Sequence, residues 1–555
     1  MSDSPQIDVQ DIDHLGIIAG IVDDIGIVQI IDQLLGTHHQ EQVTPGQIVK
    51  ALILNCMGFL TAPLYLFSQF FEGKATEHLI APGIRPEHLN DTRIGRVLDK
   101  LYHYGVTKIF VTIALEVVHK FSVTLNSVHL DSTSISVEGQ YFPIQTSVVE
   151  SEQITNELDE PIPIKITRGY SRDRRPDLKQ FMINLLTSED GGIPLFLELG
   201  DGNEVDKSTF LPVIKEFQRQ WTLTPPEVIV CDCALYSSPN IIALGSTPWI
   251  TLVPMTITAA KQLVQTLSEQ QFELIKVKGY KAVEMCSFYS DIPQRWIVFE
   301  NTTRKKIDIK KLHQKVTKIG KQKQELLKNL QLKGFACEAD AQIAVKEFKK
   351  TLKYHCLCDI EILAKSHYQK VGRPKKGIKA TNYTYHIQGN LEVNKEVVEA
   401  NKRQAGRFIL ASNILETKKY SSKEILKTYK KQQNTERGFR FLKDPLFFAS
   451  SVFLKTPRRI MALAMVMALC LMVYSLGQRQ LRKTLEQSEE NVLDQKGKPT
   501  NKPSMRWILQ CFQSVHLVWV NGIKYQIKLN QRQKVIIPHL SSACQKYYFL
   551  TSLTC

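Results

Sequence analysis

Hydrophobic residues in the first part of the chain recur every three or four positions, the spacing of amphipathic helices. Glycine and proline residues interrupt the pattern, which predicts three helical segments, at residues 15–35, 45–59 and 94–119. Thr44 is predicted to cap the second segment, with Pro45 as its first helical residue. The sequence therefore predicts an all-α N-terminal domain.

Beyond residue 126 the pattern changes to the alternation that is typical of β-strands. The segment SVHLDSTSISVEG alternates, and two apolar segments around a turn at residues 189–192 predict a hairpin. EVIVCD is a short apolar run of the kind found in strands that are buried on both faces, and WITLVP follows a helical interval as the next strand. Strands and helices in this order predict an α/β domain.

The next part of the chain mixes helical and strand-like segments. Helices are expected over residues 257–275 and over the lysine-rich stretch 304–351. Further strands are expected in KAVEMCSFYS, QRWIVFEN, NYTYHIQGNLEVN and GRFILASN. Residues 421–474 are predicted to be mainly helical, and the C-terminal end carries no clear pattern.

One apolar run, residues 460–474, raises the question of a membrane span. It is shorter than the roughly 20 residues that a helix needs to cross a bilayer, so we predict a buried helix. A peripheral membrane protein that uses this run is an open alternative. The N-terminus lacks the hydrophobic core of a signal peptide.

Charge is distributed unevenly along the chain. The formal net charge is +16, which favours an anionic partner such as nucleic acid or a membrane surface; a basic protein without such a partner is the alternative. Residues 301–450 carry 34 basic and 14 acidic side chains, whereas residues 1–300 are acidic overall. The eleven cysteines form no paired CxxC motifs, so we expect no zinc site and a reducing cytoplasm.

Two aspartates lie in or directly after predicted strands. Asp131 lies inside a strand-like segment, where an Asp is disfavoured. Val128 and Leu130 are expected to face the core, so that His129 and Asp131 project from the other side. Asp232 stands at the carboxyl end of an apolar run, where ligand sites of open α/β sheets gather. Each aspartate also has a structural alternative. Asp131 could be an ordinary Asp in an edge strand or turn, and Asp232 could cap the next segment.

A third acid, Glu436, lies on a predicted helix that begins with a capping-box pattern. Tyr429 precedes it by seven residues and Lys443 follows it by seven, so the three share one helix face, on which Gln432 also lies. A structural helix usually buries an apolar stripe at this spacing, but here the stripe is polar. A solvated helix surface is the alternative.

Three converging carboxylates suit phosphodiester chemistry. Two divalent ions about 3.5–4 Å apart can serve the attacking and the leaving oxygen at once, and Mg²⁺ prefers carboxylate ligands. Asp131, Asp232 and Glu436 are therefore candidate ligands of two Mg²⁺ ions, for which Mn²⁺ would substitute.

The segment TYKKQQNTERGFRFLKDP resembles the Tyr-(2)-Arg-(3)-Glu-(6)-Lys signature of a large superfamily of insertion-sequence DDE transposases. Tyr429, Glu436 and Lys443 match this signature, but Gln432 stands where the signature has Arg. HLDSTS and VIVCDCALYS are similar to the segments around the family's first and second Asp. GYSRDRRPDLKQF resembles a stretch of a long-chain subgroup that has a helical N-terminal domain.

The resemblance implies a ribonuclease H-like α/β catalytic domain with a long α+β insertion between the second Asp and the Glu. Asp232 and Glu436 are 204 positions apart, too many for a simple connection. The expected regions are a helical N-terminal domain that binds DNA or makes dimer contacts (1–120), the catalytic core (121–260 and 405–490), a basic insertion (261–404) and a basic C-terminal region (491–555).

Residue roles also follow from the resemblance. Asp131, Asp232 and Glu436 would be the catalytic metal ligands. Contacts to DNA would come from Tyr429, Gln432 and Lys443, with Arg437 or Arg440 replacing the missing Arg. Trp296 would stack on a flipped base, unless it is a core-strand Trp. Arg373 in GRPKKG would enter an A·T-rich minor groove, unless the loop is simply solvated.

The function that the resemblance implies is cut-and-paste transposition of an insertion sequence, by metal-dependent hydrolysis and strand transfer. Its partners would be double-stranded DNA, as inverted terminal repeats and target DNA, and a second copy of the chain, with no membrane. The expected location is the nucleoid in a prokaryotic cytoplasm. A catalytically inactive, transposase-derived DNA-binding protein is the alternative.

Overall fold

The chain, in a computed structural model, is described over residues 6–59, 66–139, 141, 161–368, 380–444, 454–521, 523–525 and 528–549. It divides into two compact units. The first unit consists of Met1–Thr251 and Leu426–Cys555, and the second of Leu252–Ile425. The segment expected to be an insertion falls inside the second unit.

The first unit begins with a short strand that is followed by helices. These elements are β1 (Ile7–Asp11), α1 (Leu15–Ile25), α2 (Ile27–Leu35), α3 (Pro45–Cys56), α4 (Phe67–Phe71), α5 (Thr76–Leu79), α6 (Asp91–Tyr104) and α7 (Val106–Lys120). Thr44 caps α3 as predicted, because its Oγ1 accepts a hydrogen bond from the backbone N–H of Gln47. Two predicted helical segments are each divided in two, because Gly26 and Gly105 adopt positive φ angles of 86° and 102°.

The strands that carry the two aspartates follow. The elements are β2 (Ser127–Val137), β3 (Lys179–Ser188), β4 (Pro194–Gly200), α8 (Asp206–Gln220), β5 (Val228–Cys231), α9 (Ser238–Leu244) and β6 (Trp249–Leu252). They lie side by side in the order β4-β3-β2-β5-β6. β3 is antiparallel to β2 and β4, whereas β5 is parallel to β2 and β6. The predicted hairpin and strands are confirmed.

The second unit combines two antiparallel arrangements of strands with helices. Its elements are α10 (Thr258–Thr266), β7 (Glu273–Leu274), β8 (Tyr280–Tyr289), β9 (Ile292–Asn301), α11 (Thr302–Leu332), α12 (Glu338–Lys350), β10 (His355–His367), β11 (Asn382–Val393), α13 (Lys395–Gln404) and β12 (Arg407–Ser412). One arrangement has the order β12-β9-β8-β7, and the other pairs β10 with β11. α11 and α12 pack on the second through a core that includes Leu327, Val345 and Ile387.

Three helices follow β12 in the sequence: α14 (Ser422–Lys430), α15 (Gln433–Leu442) and α16 (Pro457–Gln487). By length and composition alone, α16 is apolar enough to cross a membrane, and α6 with α7 pass the same test only as one span bent by 85°. However, 89% of the most apolar 18-residue window of α16 is buried inside the protein. α16 thus packs as a core helix, as predicted for its apolar run.

The C-terminal region packs against the N-terminal helices. Its elements are β13 (Val492–Leu493), β14 (Pro499–Thr500), α17 (Met505–Cys511), β15 (His516–Val520), β16 (Ile523–Tyr525), α18 (Gln531–Ile536) and α19 (Ser542–Tyr548). β15 pairs with β1 and β16, and the Tyr548 hydroxyl donates to the carbonyl oxygen of Asp13 at 2.6 Å. The N-terminal region is therefore not all-α, because a strand from the far end of the chain pairs with β1.

Candidate active site

Asp131 and Asp232 come from adjacent parallel strands. β2 and β5 pair with Leu130 opposite Cys231, so each aspartate is the next residue on its chain segment. Neighbouring strands lie about 4.8 Å apart, and side chains at equivalent positions of a parallel pair point to the same face. The fold thus brings together two carboxylates that are 101 positions apart in the sequence.

Burial and mutual repulsion disfavour the charged forms of these two carboxylates. Burial raises the pKa of Asp131 to about 7, and the charges of Asp232 and Glu436 act in the same direction. The backbone N–H of Ser132, which donates to Asp131 Oδ1 at 2.8 Å, opposes the rise, as does the Arg172 guanidinium. Burial also raises the pKa of Asp232. A cation at this position would stabilise the charged pair.

Helix α15 is anchored to β2 and β3 by polar contacts. Gln432 Nε2 donates to the carbonyl oxygen of Leu130 at 2.9 Å, and Gln432 Oε1 lies 3.1 Å from Nδ1 of His129. An amide oxygen can only accept, so His129 Nδ1 carries a proton, and burial lowers the pKa of this imidazole to about 4. One turn later, Thr435 Oγ1 lies 2.7 Å from Thr187 Oγ1. The start of α15 is thereby held against the sheet.

These contacts correct the prediction of one continuous helix. His129 is fully buried, because α15 covers the strand face from which it projects. The single helix predicted to carry the polar stripe is broken at Lys431 and Gln432, where the N–H of Gln432 donates to the carbonyl oxygen of Tyr429. Gln432 is only 5% exposed and its amide is bonded within the protein. In this structure Gln432 therefore positions α15.

Glu436 lies in the first turn of α15. Its side chain is exposed, and its charge contributes to the raised pKa values of both Asp131 and Tyr429. Within the described residues, no three His, Cys, Asp or Glu side chains come close enough together to hold a metal ion. Asp131 and Asp232 are thus a preformed pair, and Glu436 stands within electrostatic reach of it.

The aspartate pair fits a hard divalent cation in its donor chemistry. Carboxylate oxygens are the ligands that Mg²⁺ prefers. The pKa values of Asp131 and Asp232 are raised, so the positive charge of nearby Arg172 does not compensate the negative charge of the two carboxylates. Asp131 and Asp232 could thus hold such a cation, and Glu436 is the nearby acid on α15.

Tyr429 and Lys443 lie on either side of Glu436 in the sequence. Burial, followed by the charge of Asp232, raises the pKa of Tyr429, so the phenol lies near the carboxylate pair. Lys443 follows α15 directly, and its Nζ lies 2.7 Å from Oδ1 of Asp173. Tyr429 thus borders the site, whereas Lys443 is held by the loop that contains Asp173.

Arg172, which the sequence analysis did not single out, also acts on the site. Its guanidinium forms an ion pair with Asp206, the first residue of α8. Its charge opposes the rise in the pKa values of both Asp131 and Asp232. The signal in the sequence was the arginine-rich motif GYSRDRRPDLKQF, but local pattern does not distinguish the arginine that faces the carboxylates from its neighbours.

The remaining predicted residues lie elsewhere. Arg437 and Arg440 are exposed on α15, and Arg437 lines a cleft toward α16. Trp296 lies on β9 in the second unit and is 5% exposed, which leaves little of the indole for stacking on a base. Arg373 lies outside the described residues.

Two family models match the sequence. Residues 127–473 match a transposase DDE domain, and residues 7–115 match a domain of unknown function, DUF4277. No curated protein matches the chain. A cryo-EM structure of a piggyBac transposase synaptic complex with hairpin DNA is similar over 92% of this chain and 83% of that one, at 10% identity and a TM-score of 0.35.

The match to the transposase DDE domain covers more than half of the chain, from the first residue of β2 to within α16. It includes the strands that lead to Asp131 and Asp232 and the helix that carries Glu436. The mixed sheet with its flanking helices is consistent with a ribonuclease H-like fold. The chain therefore belongs to the transposase DDE domain family.

Proposed function

We propose that this chain is an active cut-and-paste transposase in which Asp131, Asp232 and Glu436 are the catalytic acids. The observation that carries the proposal is the register of β2 and β5, which sets two poorly solvated carboxylates side by side. α15, which is bonded to the same strand through Gln432, supplies Glu436.

Asp131 and Asp232 would hold Mg²⁺, or Mn²⁺ in its place, with Glu436 as the third carboxylate of a two-ion site. The bound ions would supply charge neutralisation at the scissile phosphate and a nucleophilic oxygen. The protein's own part is to keep the acids in position. The hydrogen bonds of Gln432 to Leu130 and His129 attach the helix of Glu436 to the strand of Asp131.

Three further side chains would handle the DNA. Arg172, beside both aspartates, would orient the scissile phosphate, because a guanidinium can donate two parallel hydrogen bonds to phosphate oxygens. Tyr429 would contact the same strand from the other border of the site. Lys443 would exchange Asp173 for a phosphate. Tyr429, Glu436 and Lys443 would then act as the signature implies, whereas Gln432, at the position of the signature Arg, would hold α15 in place.

In this proposal water attacks the phosphodiester at each end of an insertion sequence, and the freed 3′-hydroxyl attacks target DNA. The DNA substrates are the inverted terminal repeats and the target, and two copies of the chain act together at the prokaryotic nucleoid. The catalytic core is assigned to residues 121–260 and 405–490, and the inserted segment to 261–404.

A catalytically inactive, transposase-derived DNA-binding protein is the second candidate. Its support is the exposed Glu436 and, within the described residues, the lack of a cluster of three metal-binding side chains. A strand-transfer assay with end DNA distinguishes the two candidates, because only the active enzyme joins DNA strands.

The test of the proposal uses a plasmid that carries the DNA flanking the reading frame. With Mg²⁺, the unaltered protein should cut at the element ends, and Asp131→Asn, Asp232→Asn and Glu436→Gln should each abolish detectable cleavage, because each removes a proposed metal-binding carboxylate. Glu116→Gln, at an exposed carboxylate on α7, is the matched control and should cut normally. Full cleavage by any of the three site variants would refute the assignment of that residue.

A further inference from the structure

A basic cleft lies between α15 and α16, away from the aspartate pair. Its volume is about 620 Å³. Asn434, Arg437, Gly438 and Phe441 line it from α15; their spacing of three and four residues places them on one helix face. Glu436, which is two positions from Asn434, points about 200° away around the helix axis. The cleft and the candidate catalytic acid thus use different faces of α15.

Cations dominate the charged side chains of this cleft. The five basic residues are Arg437, Arg479, Arg482, Lys483 and Lys502, and the two acidic ones are Asp190 and Glu486. Asp190 already forms an ion pair with Arg479, because its Oδ2 lies 2.6 Å from a guanidinium nitrogen of that residue. The cleft therefore holds an excess of positive charge that its own carboxylates do not balance.

Two guanidinium groups repel each other across the cleft. Burial lowers the pKa of Arg482, and the positive charge of Arg437 acts in the same direction. Arg482 donates from Nε to the carbonyl oxygen of Pro503 at 2.9 Å. Among the described residues, no carboxylate forms an ion pair with Arg437 or Arg482. An anion between these two groups would remove the repulsion.

The hairpin turn before β4 leaves the cleft open. Gly191 and Gly192 adopt positive φ angles of 84° and 67°. A Cβ at Gly192 would lie 3.0 Å from Cβ of Asn434, and one at Gly191 would lie 3.1 Å from the side chain of Arg479. Glycine at both positions lets the turn approach the cleft walls without filling the space between them.

We propose that this cleft binds the phosphate backbone of DNA as a second contact, separate from the cleavage site. The inference rests on the proposed function for its choice of polyanion. Phosphate oxyanions are the chemistry that clustered guanidinium and ammonium groups recognise. The basic groups come from α15, α16 and the segment after β14, and five separate cations suit several phosphates of one strand better than one free ion. DNA held here would fix α15 from the face opposite to Glu436.

The test measures binding of the full chain to labelled duplex DNA at several salt concentrations, with Ca²⁺ in place of Mg²⁺. Arg437→Gln with Arg482→Gln should weaken binding about tenfold or more and lower the slope of log K against log salt by about 1 to 2. Lys108→Gln with Lys215→Gln removes the same charge at exposed positions outside the cleft. This control should stay within about threefold of the unaltered protein.

Equal weakening by the two double variants would overturn the inference, because the effect would then be one of net charge. Inorganic phosphate separates the two sources of the ligand. Suppose that millimolar phosphate raises the melting temperature of the unaltered protein but not that of the Arg437→Gln, Arg482→Gln variant, while the two proteins bind DNA equally. The cleft would then bind a free phosphate ion, and the proposal that it binds DNA would be wrong. Arg437→Gln alone, at an exposed residue, replaces the double variant if that variant does not fold. Failure of the unaltered protein to bind DNA would instead overturn the proposed function.

Discussion

Gln432 donates a hydrogen bond from Nε2 to the main-chain carbonyl oxygen of Leu130 at 2.9 Å, across 302 positions of sequence. Leu130 immediately precedes Asp131, and Gln432 immediately precedes α15. One buried amide therefore ties the strand of the first aspartate to the helix of Glu436. The buried side chain of Gln432 thus serves the internal structure of the protein.

Replacing Gln432 by Leu should destabilise the folded protein. The carbonyl oxygen of Leu130 and the imidazole Nδ1–H of His129 would each lose the hydrogen bond to Gln432, and an unsatisfied buried polar group costs about 1–3 kcal/mol. Urea denaturation should show a loss of this size. Gln433→Leu, at the neighbouring exposed position, is the control, and an equal loss there would contradict the role of the amide.

Asp131 should make stability depend on pH in the absence of metal. Its pKa in the folded protein, about 7, lies above the ordinary 3.8. Between these values the folded state binds more protons than the unfolded state, so stability falls as pH rises through this window. In chelator, the loss of unfolding free energy from pH 5 to pH 8 should be smaller in Asp131→Asn than in the unaltered protein. An equal loss of unfolding free energy in Asp131→Asn would show that the Asp131 carboxyl does not cause the pH dependence. The control Glu116→Gln should show the same loss as the unaltered protein.

Divalent metal should stabilise the unaltered protein by relieving the repulsion between Asp131 and Asp232. A ligand that binds only the folded state raises the free energy of unfolding by mass action, by about 2.7 kcal/mol at 100 times its dissociation constant, and so raises the melting temperature. Mg²⁺ and Mn²⁺ should therefore raise the melting temperature at pH 8, and the increase should disappear in Asp131→Asn with Asp232→Asn. Persistence of the full increase in that double variant would place the metal elsewhere.

Arg172→Gln should impair cleavage more than DNA binding. Loss of one preorganised donor to a transition state typically costs about 100- to 1000-fold in rate, whereas one phosphate contact contributes little to the affinity of a long duplex. Single-turnover cleavage and DNA affinity, measured on the same protein, give the two values. Arg174→Gln, an exposed neighbour in the same loop, serves as control. A variant that loses affinity and rate in equal proportion would make Arg172 a general DNA contact.

Asp173→Asn should strengthen DNA binding. The variant frees Lys443 from its ion pair, and a partly exposed pair of this kind contributes about 0–1 kcal/mol, which limits the gain to about fivefold. Asp177→Asn removes the same charge from the same loop, where Asp177 pairs with Arg175. Equal gains in the two variants would show a general charge effect instead of release of Lys443.

Local features of the chain were predictable from the sequence. The capping box at Thr44 and the hairpin turn before β4 depend on residues within a few positions of each other. The alternation around Asp131 and the apolar run before Asp232 predicted the strands that carry them, and the family resemblance added Glu436. These features follow from periodicity and capping, which operate over one or two turns or along one strand.

Tertiary structure alone decided the rest. Pairing of β1 with β15 joins the two ends of the chain, and the burial of Gln432 depends on a carbonyl group more than 300 positions away. The arginine that reaches the aspartates is selected by the path of its loop and by Asp206. Such contacts depend on which surfaces meet when the helices and strands pack together. The residues adjacent in sequence do not determine which distant surfaces those are.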